Sequence, residues 1–362
     1  MSRRFFSSLS AAVIVVALAL AVPASAVAQT AKKPAATGGG AAKTSKWVAP
    51  RTPWGDPDIS GNLTNVNEAN TPFERPDEFA GKRIEDVTKD QMAALNKARQ
   101  QNAVETAPFI TGSRADGIAI GVPIHWLDHL EAENSRPWFV TDPPDGKIPP
   151  LTQEAIDRNA AQARARQGRS VADSYTDRSL GDRCVARRGV PVNAMQPGIY
   201  GNSYHIVQTK DYIAIRYEMD GSRVIPIEGR SGSRAHVSTK LRSYFGDAIA
   251  RWEGETLVVD TTNFGEFVNY RGSREGLHTI EKFRRTGPKT VEWTVTVEDS
   301  HTWARPWTFT VPLTEDDGQP IFEYACHEGN YGIRNILAGA REDQKRGIEP
   351  SNGPALPPGQ EE

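Results

Sequence analysis

Near its C-terminal end the chain reads EYACHEGNYG (Glu323–Gly332), which sets a thiol, an imidazole and a carboxylate side by side at Cys326, His327 and Glu328. Those groups could act as nucleophile, metal ligand or crosslink. Cys184 and Cys326 are the only two cysteines, so each is the other's sole partner, and an oxidising compartment favours joining them. Cys326 then reads as one end of a disulfide, and any proton chemistry passes to its neighbours. Successive side chains of an extended segment point to opposite faces. One of His327 and Glu328 can therefore face a pocket as general acid or base, while both can also bond the backbone of a glycine-rich turn. Asn330 and Tyr331 are turn and packing residues that become ligand contacts if a pocket lies there.

A second acid–base candidate sits in LHTIEKFRR, where strand alternation puts His278, Ile280, Lys282 and Arg284 on one face and Thr279, Glu281, Phe283 and Arg285 on the other. Neither face is apolar, so this strand is an edge or lines a wet interior, where Glu281 with an arginine such as Arg284 could hold a polar ligand. Arg216 and Glu218, beside Tyr212, form a further polar set expected within the barrel; His205 and Asp260 are polar positions on other strands. Trp252 is one of eight tryptophans and offers a face for a flat ligand. His125 and His129, four apart in VPIHWLDHLE, share a helix face at a spacing zinc or copper uses. The glutamate of a zinc-protease signature and a third ligand are missing, so no metal is assigned. GRSGS at 229–233 lacks the closing glycine of a nucleophile elbow, and no phosphate loop or dinucleotide fingerprint is present; any cofactor is left unspecified.

The elements that must position these residues follow from patterning. Residues 1–28 carry two arginines, an apolar run and a small-residue end, the pattern of an export signal, with an apolar stretch too short to span a membrane. Residues 29–46 read as a flexible tether and 347–362 as a Pro-rich disordered tail. Residues 47–180 are rich in Pro, Gly and Asn and are expected to wrap a core, with helices at TKDQMAALNKARQQ (N-cap Thr88 or Asp90) and at TQEAIDRNAAQARARQG, capped by Thr152 and stopping at Gly168. Beyond Cys184 the period changes from helical to two: YHIVQT, YIAIRYE, RVIPI, DAIARW, TLVVDT, HTIEKFRR, TVEWTVTVED and WTFTVPL follow one another across short turns. About eight short antiparallel strands in a meander make this a mainly β fold, closing over 181–346 into a lipocalin-like barrel, with a β-sandwich as the alternative. A formal net charge of −2 with interspersed signs gives no nucleic-acid stripe, and no second apolar segment gives a span. Oligomeric state is left open.

TPWGDPDISG, PPDGKIPPLT, RWEGETLVVDTTNF, LHTIEKFRR, ARPWTFTVPL and EYACHEGNYGI, in that order, together resemble a large family of secreted proteins of environmental Gram-negative bacteria. That family has no settled activity, so the resemblance implies export and carries over no catalytic residue. A more distant likeness, a Trp-x-Gly strand end beside a Thr-Leu-Val run, is to lipocalin-like barrels. These features lead to the expectation of a periplasmic or secreted protein that binds a small, partly apolar molecule. The alternatives are a hydrolase or lyase using His327 with Glu328, or His278 with Glu281, and a structural or interaction module.

Overall fold

A computed structural model describes residues 47–106 and 135–348, apart from 70, 187, 188, 199 and 319. The export signal, the tether, His125, His129 and nearly all of the Pro-rich tail lie outside the described residues.

Alternation builds the strands. In β9 (Thr290–Glu298) Val291, Trp293, Val295 and Val297 are buried while Glu292, Thr294, Thr296 and Glu298 are half exposed, one face turned to the core and one to water. The other main-sheet strands are β1 (Gly61–Thr64), β3 (Ser203–Gln208), β4 (Tyr212–Tyr217), β5 (Gly221–Pro226), β6 (Asp247–Glu253), β7 (Thr256–Thr262), β8 (His278–Gly287) and β10 (Trp307–Glu315). They run in the order β5-β4-β3-β1-β10-β9-β8-β7-β6, with β2 (Val140–Asp142) paired to β10. Every pairing among these strands is antiparallel. Past the end of β5 the chain meets β6: Ile227 forms a parallel bridge with Ala250, and Glu228 N donates to Ala250 O at 2.7 Å. The sheet is thus nearly closed into a barrel, as the meander predicts, and not split into a sandwich.

The N-terminal half does more than wrap. It supplies β1, which sits between β3 and β10 and joins the two runs of the meander. A four-residue strand is too short to show a period, which is why the sequence pattern does not disclose it. Helix α1 (Lys89–Thr106) starts with Thr88 Oγ1 accepting from Gln91 N and Gln91 Oε1 accepting from Thr88 N, a capping box. In α2 (Gln153–Arg166) Thr152 Oγ1 accepts from Ala155 N at 3.1 Å. A short α3 (Pro191–Ala194) precedes β3.

The barrel interior is occupied by side chains. Tyr204, Tyr217, Phe283, Trp293, Trp307 and Phe309 are all at most 2% exposed, and Trp293 meets Phe309 edge to face at 5.4 Å between centroids. Within this apolar filling lies an ion pair. Arg223 Nη2 of β5 reaches both carboxylate oxygens of Glu281 of β8, at 2.8 and 2.7 Å, and Trp293 Nε1 donates to Glu281 Oε1 at 3.1 Å. Burial disfavours the Arg223 charge, but Glu281 outweighs that and holds the guanidinium above its ordinary pKa.

The C-terminal segment departs from the expectation of a barrel running to residue 346. After β10 the chain leaves the sheet, is crosslinked by Cys184–Cys326, and ends in α4 (Gly332–Lys345), none of whose residues is buried. The disulfide confirms the pairing read from the cysteine count. Arg341 also bonds the carbonyl of Asp173, so the helix is held as an arm against the segment around 173–184.

Two outcomes test this architecture. Removing one member of the internal pair, R223A or E281A, is expected to destabilise by about 3–5 kcal/mol because it strands a buried charge, whereas the double substitution to Met and Leu restores most of that loss, measured by chemical denaturation. A crosslink between positions 142 apart would stabilise by about 4–5 kcal/mol on loop entropy alone. Because the arm is exposed and can detach without opening the barrel, C184S/C326S is expected to cost less than half of that value while making the arm sensitive to limited proteolysis.

Candidate functional site

The loop from Ile227 to Gly246 joins β5 to β6 and returns to the outer side of the barrel wall. Ser243 bridges Phe264, Asn263 Nδ2 donates to Val237 O at 3.0 Å, and Gly246 turns the chain into β6 with φ +68°. A Cβ at Gly246 would stand 2.6 Å from Thr262 O, so only glycine permits this approach. The turn brings His236 down onto β6 and β7.

Beneath it the strand registers supply the partners. Asp260 is opposite both Ile249 and Ile280, and His278 is opposite Glu298; all are on the outward face. The result is a continuous chain of acids and bases. Arg234 pairs with Asp247. Asp247 Oδ2 accepts from Val237 N at 2.8 Å and meets His236 Nδ1 at 2.9 Å. His236 Nε2 meets Asp260 Oδ1 at 2.9 Å, and Asp260 Oδ2 meets His278 Nε2 at 3.1 Å. His278 Nδ1 then meets Glu298 Oε2 at 3.0 Å. Asp260 thus serves two imidazoles, one from each side.

Each ring has a carboxylate oxygen at both nitrogens. Only an imidazolium donates from both; a neutral ring would aim a lone pair at a carboxylate. The Asp260 hydrogen bond, opposed by burial and assisted by Glu298, holds His278 above the ordinary value of 6.5. His278, against burial and with help from His236, holds Asp260 below the usual carboxylate range. Burial opposes the Asp247 charge, but Arg234, the Val237 N–H and His236 together bring its pKa down to about 2. Asp247 is only 7% exposed at its side chain, whereas His236, Asp260, His278 and Glu298 lie between 29% and 38%. A molecule in solvent can therefore touch the middle of the chain. His278, with its pKa raised, is suited to general-acid chemistry there, and the carboxylate oxygens are suited to accept hydrogen bonds from a ligand. Among the described residues no group of three or more His, Cys, Asp or Glu is arranged to hold a metal ion.

The structure brings His278 together with Asp260, and separates it from Glu281. The two lie on opposite faces of β8, His278 outward and Glu281 inside the barrel against Arg223, so they cannot act on one substrate. Arg216 and Tyr212 point outward and are exposed, while Ile213, Ile215 and Tyr217 fill the interior. The expected internal cluster with Glu218 is absent, because alternation along β4 gives the inner positions to apolar residues; Glu218 instead accepts from Ser203 N. His205 is exposed on the outer face as the register partner of Arg216. Arg284 is exposed on the outer wall, and Trp252 is half buried on the inner face opposite Leu257.

His327 and Glu328 are exposed in the turn before α4. Asn330 Nδ2 donates to Cys184 Sγ at 3.1 Å and its Oδ1 accepts from Gly332 N at 2.8 Å, while Tyr331 is 64% exposed. This is the turn-and-staple role. Arg234 and His236 lie in an aperiodic loop and Asp247 at the first position of β6, so no local pattern marks them. Only the fold brings Arg234 and His236 onto Asp247 and sets His236 against Asp260.

Comparison of the chain with protein-family models, with curated proteins and with solved structures yields no match.

The pH dependence follows from the directions of these shifts. His278 has a raised folded pKa, so its stabilisation is complete below about 6.5 and is lost as pH rises through the raised value. Asp247 works on the acid side: its contribution is present above its ordinary 3.8 and disappears as pH falls through about 2. The stability difference between wild type and H278Q is expected to shrink from pH 6 to pH 9. In imidazole NMR titrations D260N is expected to lower the His278 midpoint.

Proposed function

We propose that the protein works outside the cytoplasm, in the periplasm or as a secreted protein, where it binds a small, partly apolar molecule on the outer barrel wall at Asp260 and His278. One observation carries the reading: a carboxylate shared by two imidazoles is open to solvent between the half-buried Ile249 and Ile280, while the barrel interior is filled. A ligand with a hydrogen-bond donor beside a short hydrocarbon body can meet Asp260 with the first and the two isoleucines with the second. The Cys184–Cys326 disulfide supports an oxidising compartment, and the patterning of residues 1–28 supports export. No helix among the described residues is long and apolar enough to cross a membrane.

A second reading has its own support. His278 is a solvent-accessible imidazolium held by two carboxylates, which is the state a general acid needs, so a hydrolase or lyase acting at the same place is the alternative. A ligand-observed NMR screen of polar metabolites separates the two. Hits are expected to move the ring signals of His236 and His278 and to bind at least tenfold more weakly to D260N. Hits that leave both rings unperturbed and bind D260N equally would overturn the assignment. Turnover of a hit that vanishes in H278Q, with binding kept, would establish the enzymatic reading.

A further inference from the structure

A separate cleft of about 600 Å³ opens where residues 72–78 run beside Lys147 and Ile148 and beneath Arg271, within the size range of small-molecule sites. Its walls are firmly built. Phe73 is wedged into the core, 5.8 Å from Trp307 and 5.0 Å from Phe309 between centroids. Arg75 N donates to Gly146 O at 2.7 Å, and Ile148 N donates to Glu74 Oε1 at 2.6 Å. Gly146, at φ +69°, lets the two loop segments of the wall close: a Cβ there would stand 2.6 Å from Arg75 Cβ and 2.9 Å from Trp138 Nε1.

The charges in this cleft are unequally committed. Glu74 is engaged by a backbone N–H, and Asp77 is paired with Lys147 at 3.1 Å. Arg271 has no carboxylate partner among the described residues. It adopts a left-handed backbone, φ +51°, a conformation a non-glycine residue rarely holds. That conformation lays its guanidinium over the Phe73 ring at 4.1 Å from the centroid. A guanidinium over an aromatic face can still donate in its own plane, and Tyr270 flanks it on another side, with its ring centroid 6.0 Å away. A fixed fork of donors with a permanent charge matches the two oxygens of a carboxylate. Pro72, Pro76 and Ile148 supply apolar contact beside it.

We propose that this cleft binds a small carboxylate with an apolar body, its carboxyl group on the edge of Arg271 and its hydrocarbon against Pro76 and Ile148. Three probes test it by isothermal titration or by NMR of the Trp307 and Ile148 signals: benzoate, benzyl alcohol and inorganic phosphate. Benzoate is expected to bind saturably and more weakly as salt rises, with benzyl alcohol and phosphate each at least tenfold weaker. R271G, which accepts the left-handed conformation without strain, is expected to weaken benzoate at least tenfold. R271K, which keeps a charge without the planar fork, is expected to fall between. Near-UV circular dichroism reports whether either variant keeps its fold. H278Q is expected to bind benzoate as wild type does, which separates this site from the one at Asp260. Absence of saturable benzoate binding, equal binding by R271G, or phosphate binding as tightly as benzoate would each overturn the proposal.

Discussion

The Arg223–Glu281 pair is the constraint around which the rest of the molecule is arranged. It joins β5 to β8 across the inside of the barrel, and β5 and β6 are the two ends of the sheet. A pair of charges so deeply buried tolerates little displacement, since either one left alone is far costlier than the two together. It therefore holds the seam between Ile227 and Ala250 in register. It also decides the alternation of β8: with Glu281 committed inward, His278 and Ile280 must face outward.

That outward assignment creates the surface chemistry. One residue further along or back, His278 would be sealed in the core, and Asp260 would lose the partner that makes it a shared carboxylate. The loop above β6 completes the arrangement through the close turn at Gly246 and the bonds from Ser243 and Asn263. Inner and outer polar sets are thus two sides of one strand register. The inner set is shielded and serves cohesion. The outer set is half exposed and is placed to meet other molecules.

The strands from β3 onward are legible in the sequence because each is long enough to show its period and is bounded by turn residues such as Lys210-Asp211 and Asp220-Gly221. The helices capped by Thr88 and Thr152 are legible for the same kind of reason, as local signals. What escapes is whatever depends on position in space. Strands β1 and β2 carry three or four residues each, and α4 follows a segment whose cysteine, glycine and tyrosine content points to a turn. At the candidate site, His278 and Asp260 stand out as polar residues on strands, yet the link from Asp260 on to Asp247 runs through His236, which no local pattern marks. Glu281 stands out as well, and its meaning reverses once Arg223 is found beside it: a charge on a strand face that reads as wet is in fact enclosed.

The insertion of β1 between β3 and β10 has a consequence for how the chain reaches this state. Gly61–Thr64 pairs with residues near 205 and again with residues near 314, and the second of these is the widest sequence separation in the sheet. Both runs of the meander can assemble from neighbouring hairpins; away from the Ile227–Ala250 seam they join through this short early segment. Topologies governed by such distant pairings fold slowly. A ribosome delivers β1 first and β10 last, so the edge of β1 that faces β10 must wait for its partner until most of the polypeptide has emerged.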